Sequence, residues 1–224
     1  MAGTVVFDLD GTLADTAGDL IGAANAVLAR RGLAGLDPVA DAAVAFAGGR
    51  AMLRAGYGRA GAGWVIPPGA EDEDFAALLD AYAGAIAVHT RLYPGVAGVL
   101  RRLRDDGHRL AVCTNKPEAL ADQLLHALNI RDAFDSLVGA DTLPVRKPDP
   151  RPYREAVARA GGEVGRSFLL GDTLTDARTA RAAGVRLALV SFGPEGAAIA
   201  RLNPDAMLDD YRDLPALAHR WLAG

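Results

Sequence analysis

The sequence predicts an α/β fold, in which a small all-helical domain is inserted after the first strand of a parallel sheet. Short apolar runs alternate with segments whose apolar residues recur at helical spacing, and this alternation is typical of βαβ units. Residues 16–90, by contrast, show helical patterns and no convincing strand. The length of 224 residues suits one α/β domain with a small insert.

The first strand is predicted at Val5–Phe7, and Asp8 and Asp10 follow it directly. Side chains two residues apart in an extended segment lean to the same side. Gly11 then allows a sharp turn, and the helical pattern that follows it argues against an Asp-Gly hairpin. Because burying unpaired charge is costly and open α/β sheets bind ligands at the carboxyl ends of their strands, this pair predicts a site that needs a cation.

Four helices are predicted in the insert from apolar residues at helical spacing. They lie at Leu20–Leu28, from Pro38 to about Ala47, from Arg50 to about Ala55, and at Glu71–His89. The acidic residues that open the last of these suit the helix dipole.

After Pro94-Gly95, strands and helices alternate again. The predicted strands are Arg109–Cys113, Ser136–Gly139, Ser167–Leu170 and Val185–Ser191, with an edge strand at Ala206–Leu208. Helices are predicted through Val96–Leu103 and Leu120–Leu128, and over Tyr153–Ala160 and Ala177–Ala183. Such an alternation predicts a parallel sheet with crossover helices.

Composition argues against several functional classes. The formal net charge of −4 argues against a nucleic-acid partner held by bulk electrostatics. A single cysteine, Cys113, excludes an internal disulfide framework, and no apolar run is long enough to cross a membrane. We therefore expect a cytoplasmic protein with no membrane or nucleic-acid partner, present as a monomer or a homodimer.

Polar side chains follow three later strands at the same architectural position as Asp8. Thr114 comes directly after one strand, Lys147 follows a longer loop, and Asp172 and Asp176 follow another strand. A carboxylate can act as a nucleophile and form an acyl phosphate. A hard divalent cation prefers oxygen ligands, and a lysine neutralises the charge of a phosphoryl group. This set of side chains therefore suits phosphoryl transfer.

Four segments of the chain resemble the motifs of the haloacid-dehalogenase (HAD) superfamily, in its phosphatase branch. They are Asp8–Leu13, Thr114–Lys116, Arg146–Pro150 and Gly171–Asp176. One subclass carries a helical cap between the first and second motifs, and phosphoglycolate phosphatases are similar in cap size and in the Tyr93–Val96 junction. The resemblance implies a Rossmann-like core formed by residues 1–14 and 94–224, and a helical cap formed by residues 15–93.

The resemblance also implies roles for the motif residues. Asp8 is then the nucleophile and Asp10 the general acid/base. Mg²⁺ is expected on Asp8, on the backbone carbonyl of Asp10 and on Asp172. Asp10 is the residue that separates phosphatases from dehalogenases, which lack an acid at this place.

Three further positions are expected to bind or position the phosphoryl group. The resemblance places Thr114, Asn115 and Lys147 on the phosphoryl oxygens. Asp176 is expected to support the metal site or to orient Lys147, while the alternative is an acid that stabilises the start of a helix. In the cap, Arg50 follows two glycines, and its planar fork suits a substrate carboxylate; a solvated arginine at a helix start is the alternative.

We therefore expect a Mg²⁺-dependent phosphomonoester hydrolase that acts on a small phosphorylated metabolite resembling phosphoglycolate, through an aspartyl-phosphate intermediate. A phosphomutase of the same superfamily, resembling β-phosphoglucomutase, is one alternative. A non-catalytic protein that binds a phosphorylated ligand is another. The combination of Asp8 and Asp10 argues against simple binding, because binding alone does not need a nucleophile beside an acid.

Overall fold

The computed structural model of the protein describes residues 3–61 and 64–222. The chain divides into two compact units, one formed by Met1–Asp15 and Leu92–Gly224 and the other by Thr16–Arg91. The outermost two residues at each end of the expected core domain, and residues 62–63 of the expected cap, lie outside the described residues.

Eight strands form two sheets in the described part of the chain. They are β1 (Thr4–Phe7), β2 (Ala14–Asp15), β3 (Arg91–Leu92), β4 (Arg109–Cys113), β5 (Ser136–Val138), β6 (Ser167–Gly171), β7 (Arg186–Val190) and β8 (Ala206–Leu208). Six of them form one sheet in the order β5-β4-β1-β6-β7-β8, and all its pairings are parallel. The predicted α/β fold with a parallel sheet is therefore confirmed.

The described residues of the Thr16–Arg91 unit form four helices: α1 (Ala17–Arg30), α2 (Ala42–Phe46), α3 (Gly49–Gly58) and α4 (Ala70–Gly84). The buried carboxylate of Asp74 joins α4 to α3 and to the end of α1, because it accepts hydrogen bonds from the Tyr57 hydroxyl at 2.7 Å and from the Arg31 guanidinium at 2.8–3.1 Å. A charged group can be buried at this position because its oxygens are paired and hydrogen-bonded.

Two predicted helix boundaries in this unit were wrong by four residues or more. The helix expected from Pro38 begins at Ala42, because the Asp37 side chain accepts hydrogen bonds from the Val39 and Ala40 amides and makes a local turn. The helix expected to reach His89 ends at Gly84. The His89 amide instead donates to the Asp19 carboxylate, at 2.9–3.0 Å.

The unit formed by Met1–Asp15 and Leu92–Gly224 contains five helices in its described residues: α5 (Val96–Asp105), α6 (Glu118–Ala127), α7 (Pro150–Arg159), α8 (Leu174–Ala183) and α9 (Leu214–Leu222). The last was not predicted, although its buried Leu214, Leu217, Ala218 and Leu222 lie at helical spacing. Helix α7 begins three residues earlier than predicted, because the Asp149 side chain accepts from the Arg151 amide and Pro150 suits the first helical position.

Helices α7 and α8 pack their apolar faces on the parallel sheet. Tyr153 and Val157 of α7 and Ala180 of α8 share one buried cluster with strand residues such as Val6 and Leu169. Strands buried in this way are nearly continuously apolar, so polar side chains come where the strands end. Among the described residues, no helix combines the length and hydropathy that a membrane span requires.

Candidate active site

The carboxyl ends of three neighbouring strands form the candidate site. Strand β1 lies between β4 and β6, and Asp8, Thr114 and Asp172 are the residues that directly follow these three strands. Asp8 and Thr114 remain tied to the sheet, since the Asp8 amide donates to the Leu170 carbonyl at 2.9 Å and the Thr114 amide donates to the Val138 carbonyl at 3.0 Å. The parallel topology thus brings together residues that lie far apart in the sequence.

Lys147 links two of the acids. Its Nζ lies 3.0 Å from Oδ2 of Asp8 and 2.7 Å from Oδ1 of Asp176. The side chains of Lys147 and Asp176 are 1% and 0% exposed. The other oxygen of Asp8, Oδ1, accepts a hydrogen bond from the Leu9 amide at 2.7 Å. Both oxygens of Asp8 are therefore held in one orientation at the sheet edge.

Asp172 lies directly against the turn at Gly11. Its Oδ1 accepts a hydrogen bond from the Thr12 hydroxyl at 2.7 Å. Gly11 has a φ of +79°, and a Cβ atom there would clash with Oδ2 of Asp172. Only glycine satisfies both the left-handed backbone and this close approach. Gly11 of the first motif therefore makes room for Asp172, an acid that lies far along the sequence.

Asp176 both caps the start of helix α8 and contacts Lys147. Its Oδ2 accepts from the Thr173 amide at 3.1 Å, and the Asp176 amide donates to the Thr173 hydroxyl at 3.3 Å, so the two residues form a capping box. Its Oδ1 faces Lys147. One oxygen of the carboxylate thus contacts Lys147 and the other contacts the start of α8, and the role of Asp176 at the candidate site stays a prediction.

The electrostatics of this cluster are dominated by buried negative charge. Burial raises the pKa of Asp8 to about 7, with Asp176 adding to the shift and Lys147 opposing it. Burial, together with the nearby Asp176 and Asp8, also raises the pKa of Asp172 well above its usual value. Burial disfavours the ammonium of Lys147, but the neighbouring Asp176 and Asp8 carboxylates outweigh it and raise the pKa of Lys147. Three acids around one lysine leave negative charge that favours a bound cation.

The acidic cluster fits a divalent cation. One carboxylate oxygen from each of Asp8, Asp172 and Asp176 lies within 4.8 Å of the others. Both oxygens of Asp176 accept hydrogen bonds, whereas Oδ2 of Asp172 is buried and has no hydrogen-bond partner among the described residues. A buried carboxylate oxygen without a partner is costly, and Mg²⁺ prefers such oxygens. Asp8 and Asp172 are thus suited to hold a metal, and Asp176 is suited to support it.

Asp10 contacts a residue to which the motifs assigned no role. The Nζ of Lys116 lies 2.8 Å from Oδ1 and 3.0 Å from Oδ2 of Asp10. The Lys116 side chain is 4% exposed and that of Asp10 is 17% exposed. The rarity of lysine in this chain could have pointed to Lys116. Nothing in the sequence pointed to Thr12 as the partner of Asp172.

The two remaining phosphate-binding candidates lie beside Lys116 and Lys147. The Thr114 hydroxyl accepts a hydrogen bond from the Lys116 amide at 3.1 Å. The Asn115 side-chain amide donates to the Lys147 carbonyl at 3.0 Å. Asn115 therefore braces the loop that presents Lys147, in addition to any contact with a ligand.

Arg50 lies in the Thr16–Arg91 unit, at the start of α3. Its guanidinium lies 2.8 Å from a carboxylate oxygen of Asp72 and 4.4 Å from the centre of the Phe75 ring. Both contacts are to α4 of the same unit, and the Arg50 side chain is 42% exposed. Arg50 is thus held by α4 of its own unit, and its role in substrate specificity stays a prediction.

Comparison with proteins of known sequence identifies the family. The family model for haloacid dehalogenase-like hydrolases matches residues 2–184. A phosphoglycolate phosphatase of Caulobacter vibrioides is 41% identical over 215 residues, which cover 95% of this chain and 89% of that protein. A phosphoglycolate phosphatase of Cereibacter sphaeroides is 39% identical over 223 residues, which cover 98% of this chain and 99% of that protein.

Solved structures share the fold. A protein of Haemophilus somnus described as a predicted phosphoglycolate phosphatase matches with a TM-score of 0.86 and 26% identity, covering 96% of this chain and 97% of that one. A mutant of CbbY from Rhodobacter sphaeroides, in complex with xylulose-(1,5)bisphosphate, matches with a TM-score of 0.78 and 26% identity, covering 96% of each chain. The resemblance predicted from the four motifs is therefore confirmed, and the chain belongs to the haloacid dehalogenase-like hydrolases, in their phosphatase branch.

Proposed function

We propose that this phosphatase is a Mg²⁺-dependent phosphomonoester hydrolase that acts on a small phosphorylated metabolite of the phosphoglycolate type. The observation that carries the proposal is the cluster of side chains at one sheet edge. Carboxylate oxygens of Asp8 and Asp172 lie within 4.8 Å of each other, and the Nζ of Lys147 lies 3.0 Å from Asp8. A nucleophile, oxygen ligands for a cation and a fixed ammonium are the groups that phosphoryl transfer requires.

Asp8 is the proposed nucleophile. One of its carboxylate oxygens attacks phosphorus in line with the bond to the leaving oxygen. The phosphorus–oxygen bond of the ester breaks as the aspartyl phosphate forms. Water then attacks the same phosphorus, and inorganic phosphate leaves with restoration of the carboxylate. The contacts that Asp8 makes with the Leu9 amide and Lys147 support this role, because a fixed nucleophile avoids the entropy of finding its orientation.

Asp10 is the proposed general acid and base. It gives its proton to the leaving oxygen in the first step and takes a proton from the attacking water in the second. Asp10 lies two residues beyond the proposed nucleophile in the turn after β1. Its side chain is partly exposed, at 17%, which leaves it accessible to a substrate.

Mg²⁺ would be held by Asp8, by the backbone carbonyl of Asp10 and by Asp172. When bound, the ion would neutralise the negative charge of the carboxylates and of the phosphoryl oxygens, so that the Asp8 carboxylate could approach the phosphate ester. Lys147 supplies the fixed positive charge of the site, and Asp176 orients Lys147 through its 2.7 Å contact. Thr114 and Asn115 are proposed to donate hydrogen bonds to the phosphoryl oxygens.

We further propose that residues 15–93 act as the cap domain and residues 1–14 and 94–224 as the catalytic core. The division of the chain into units at Asp15 and Leu92 supports these boundaries. The substrate class is supported by the relatives named as phosphoglycolate phosphatases, at 36–41% identity. Arg50 in the cap is the proposed contact for a substrate carboxylate.

A panel of phosphate esters, assayed for inorganic phosphate with Mg²⁺ and with excess chelator, tests the proposal. The panel contains phosphoglycolate, a sugar bisphosphate, a hexose phosphate and an aryl phosphate. We expect Mg²⁺-dependent hydrolysis with phosphoglycolate as the preferred substrate, and we expect no turnover by the Asp8→Asn variant. Full activity in chelator contradicts the metal dependence. Preference for the bisphosphate, or isomerisation of the hexose phosphate without net phosphate release, contradicts the proposed substrate or reaction.

A further inference from the structure

Lysine is scarce in this chain, and both lysines lie at the candidate active site. Of the 24 basic residues, 22 are arginine, and Lys116 and Lys147 are the only lysines. Each is buried against an acid, with side-chain exposures of 4% and 1%. An ammonium is a compact point charge, whereas a guanidinium is a wide planar fork. The use of lysine at these two positions indicates that a single compact cation fits there.

Both backbone groups of Lys116, the amide and the carbonyl, make hydrogen bonds. Its amide donates to the Thr114 hydroxyl at 3.1 Å, and its carbonyl accepts from the Ala140 amide at 2.9 Å. Helix α6 begins two residues later, at Glu118. The Cα atom of Lys116 is therefore fixed at the carboxyl end of β4, and the ammonium reaches Asp10 from a fixed point.

The ammonium contacts both oxygens of Asp10, at 2.8 and 3.0 Å. A contact with both oxygens restricts rotation of the Asp10 side chain about χ2 as well as about χ1. Burial of a lysine is tolerated when a carboxylate pairs with it. The pair is therefore a built feature of the site and differs from an exposed ion pair, which is worth little.

We infer that Lys116 is a positioning residue that holds the Asp10 carboxylate where it can reach the leaving oxygen. The inference rests on the proposed function of Asp10 as the acid and base. A general acid must lie within hydrogen-bond reach of the atom that it protonates, and a misplacement of about 1 Å can lower a rate by ~10²-fold. Lys116 therefore acts on the reaction through Asp10 and makes no contribution when Asp10 lacks its carboxylate.

A double-mutant cycle tests this inference. The four enzymes are the wild type, Lys116→Met, Asp10→Asn and the double variant, each measured by single-turnover phosphorylation from phosphoglycolate and from an aryl phosphate. Methionine keeps the apolar stem and removes the charge. We expect Lys116→Met to slow phosphorylation from phosphoglycolate ~10–100-fold. We expect it to slow phosphorylation from the aryl phosphate much less, because an aryl leaving group such as nitrophenolate needs little protonation. In the Asp10→Asn background, we expect Lys116→Met to change either rate less than about twofold.

The outcomes separate this inference from the proposed function. Equal losses from Lys116→Met in both backgrounds would overturn the inference, because Lys116 would then act independently of Asp10. Lys116→Met could instead raise only the phosphoglycolate concentration that gives half-maximal single-turnover rate and leave the maximal rate unchanged. That result would also overturn the inference and would assign Lys116 to the substrate carboxylate. If Asp10→Asn alone slows alkyl and aryl esters equally, the proposed role of Asp10 fails instead.

Two further variants control for folding. Lys116→Leu also keeps apolar bulk and removes the contact with Asp10, and it replaces Lys116→Met in the same cycle if the methionine variant does not fold. Arg102→Met removes a cation from the exposed Arg102–Asp106 pair and should leave both rates unchanged. Thermal unfolding of each variant then shows that the rates compare folded enzymes.

Discussion

Replacement of Asp172 by asparagine should remove the response of the protein to Mg²⁺ without destabilising the metal-free protein. Asp172 is 2% exposed, and its Oδ2 has no hydrogen-bond partner among the described residues. An amide keeps the shape and the acceptor for the Thr12 hydroxyl, and it removes a buried negative charge. The metal-free Asp172→Asn protein should therefore be as stable as the wild type or more stable.

The magnitude for the wild type follows from mass action. A ligand that binds only the folded state stabilises it by about 2.7 kcal/mol at a concentration of 100 Kd. For a chain of 224 residues, each kcal/mol corresponds to about 2–4 °C in Tm. Saturating Mg²⁺ should raise the Tm of the wild type by about 5–10 °C, and the Asp172→Asn variant should lose most of this rise.

The assay is thermal unfolding, followed by circular dichroism, with a Mg²⁺ titration and with chelator. Asp106→Asn serves as the matched control, because Asp106 is an acid in an exposed ion pair with Arg102; its Tm should rise with Mg²⁺ as in the wild type. A full Mg²⁺-dependent rise in the Asp172→Asn variant would refute the argument. A metal-free variant that unfolds several degrees below the wild type would refute the claim that Asp172 carries an uncompensated charge.

Three further predictions concern other parts of the molecule. Gly11→Ala should lower the free energy of unfolding in denaturant by more than about 1 kcal/mol, because the added Cβ would clash with Asp172. The control is Gly98→Ala on α5, where a Cβ meets open space, and this change should be neutral or stabilising. Equal effects of the two changes on the free energy of unfolding would contradict the argument. Burial opposes ionisation of Asp74, but its hydrogen bonds with Arg31 and Tyr57 lower its pKa below 3.8. Asp74→Asn should therefore lower the free energy of unfolding by roughly 1–3 kcal/mol near pH 7, and this difference should disappear as the pH falls below about 4. A difference that stays constant down to pH 2 would contradict the prediction. Arg50→Ala should raise KM for phosphoglycolate and leave an aryl phosphate unaffected, whereas equal losses on both would indicate the structural role.

The sheet and its shared edge could be predicted because each depends on a local pattern. Apolar runs such as Val5–Phe7 end at polar residues, and parallel topology then brings those ends together. The start of α8 was predicted too late, since the capping box that begins it depends on the Thr173 side chain. Helix α9 was missed, although its buried residues recur at helical spacing.

The contacts within the candidate site were less predictable than its membership. The alternation of strands and helices indicated that Asp8 and Asp172 would lie at the same sheet edge, because each follows a strand of a predicted parallel sheet. It did not show that Lys116 would turn toward Asp10, since the direction of a side chain depends on packing around a loop. Nor did it show that Asp176 would share its two oxygens between a helix start and Lys147.

The central claim is that Asp8 carries the phosphoryl group during turnover, and direct mapping of the phosphorylated residue tests it. The Asp10→Asn variant is mixed with an aryl phosphate and Mg²⁺, quenched in acid within the first turnover, digested and sequenced by mass spectrometry. Asp10→Asn is chosen because loss of the base should slow hydrolysis of the intermediate and let it accumulate. The account predicts a phosphoryl group on Asp8 alone, and none when the Asp8→Asn change is added. A phosphoryl group on another residue, or phosphate released at the wild-type rate with no phosphorylated protein at any time, would contradict it.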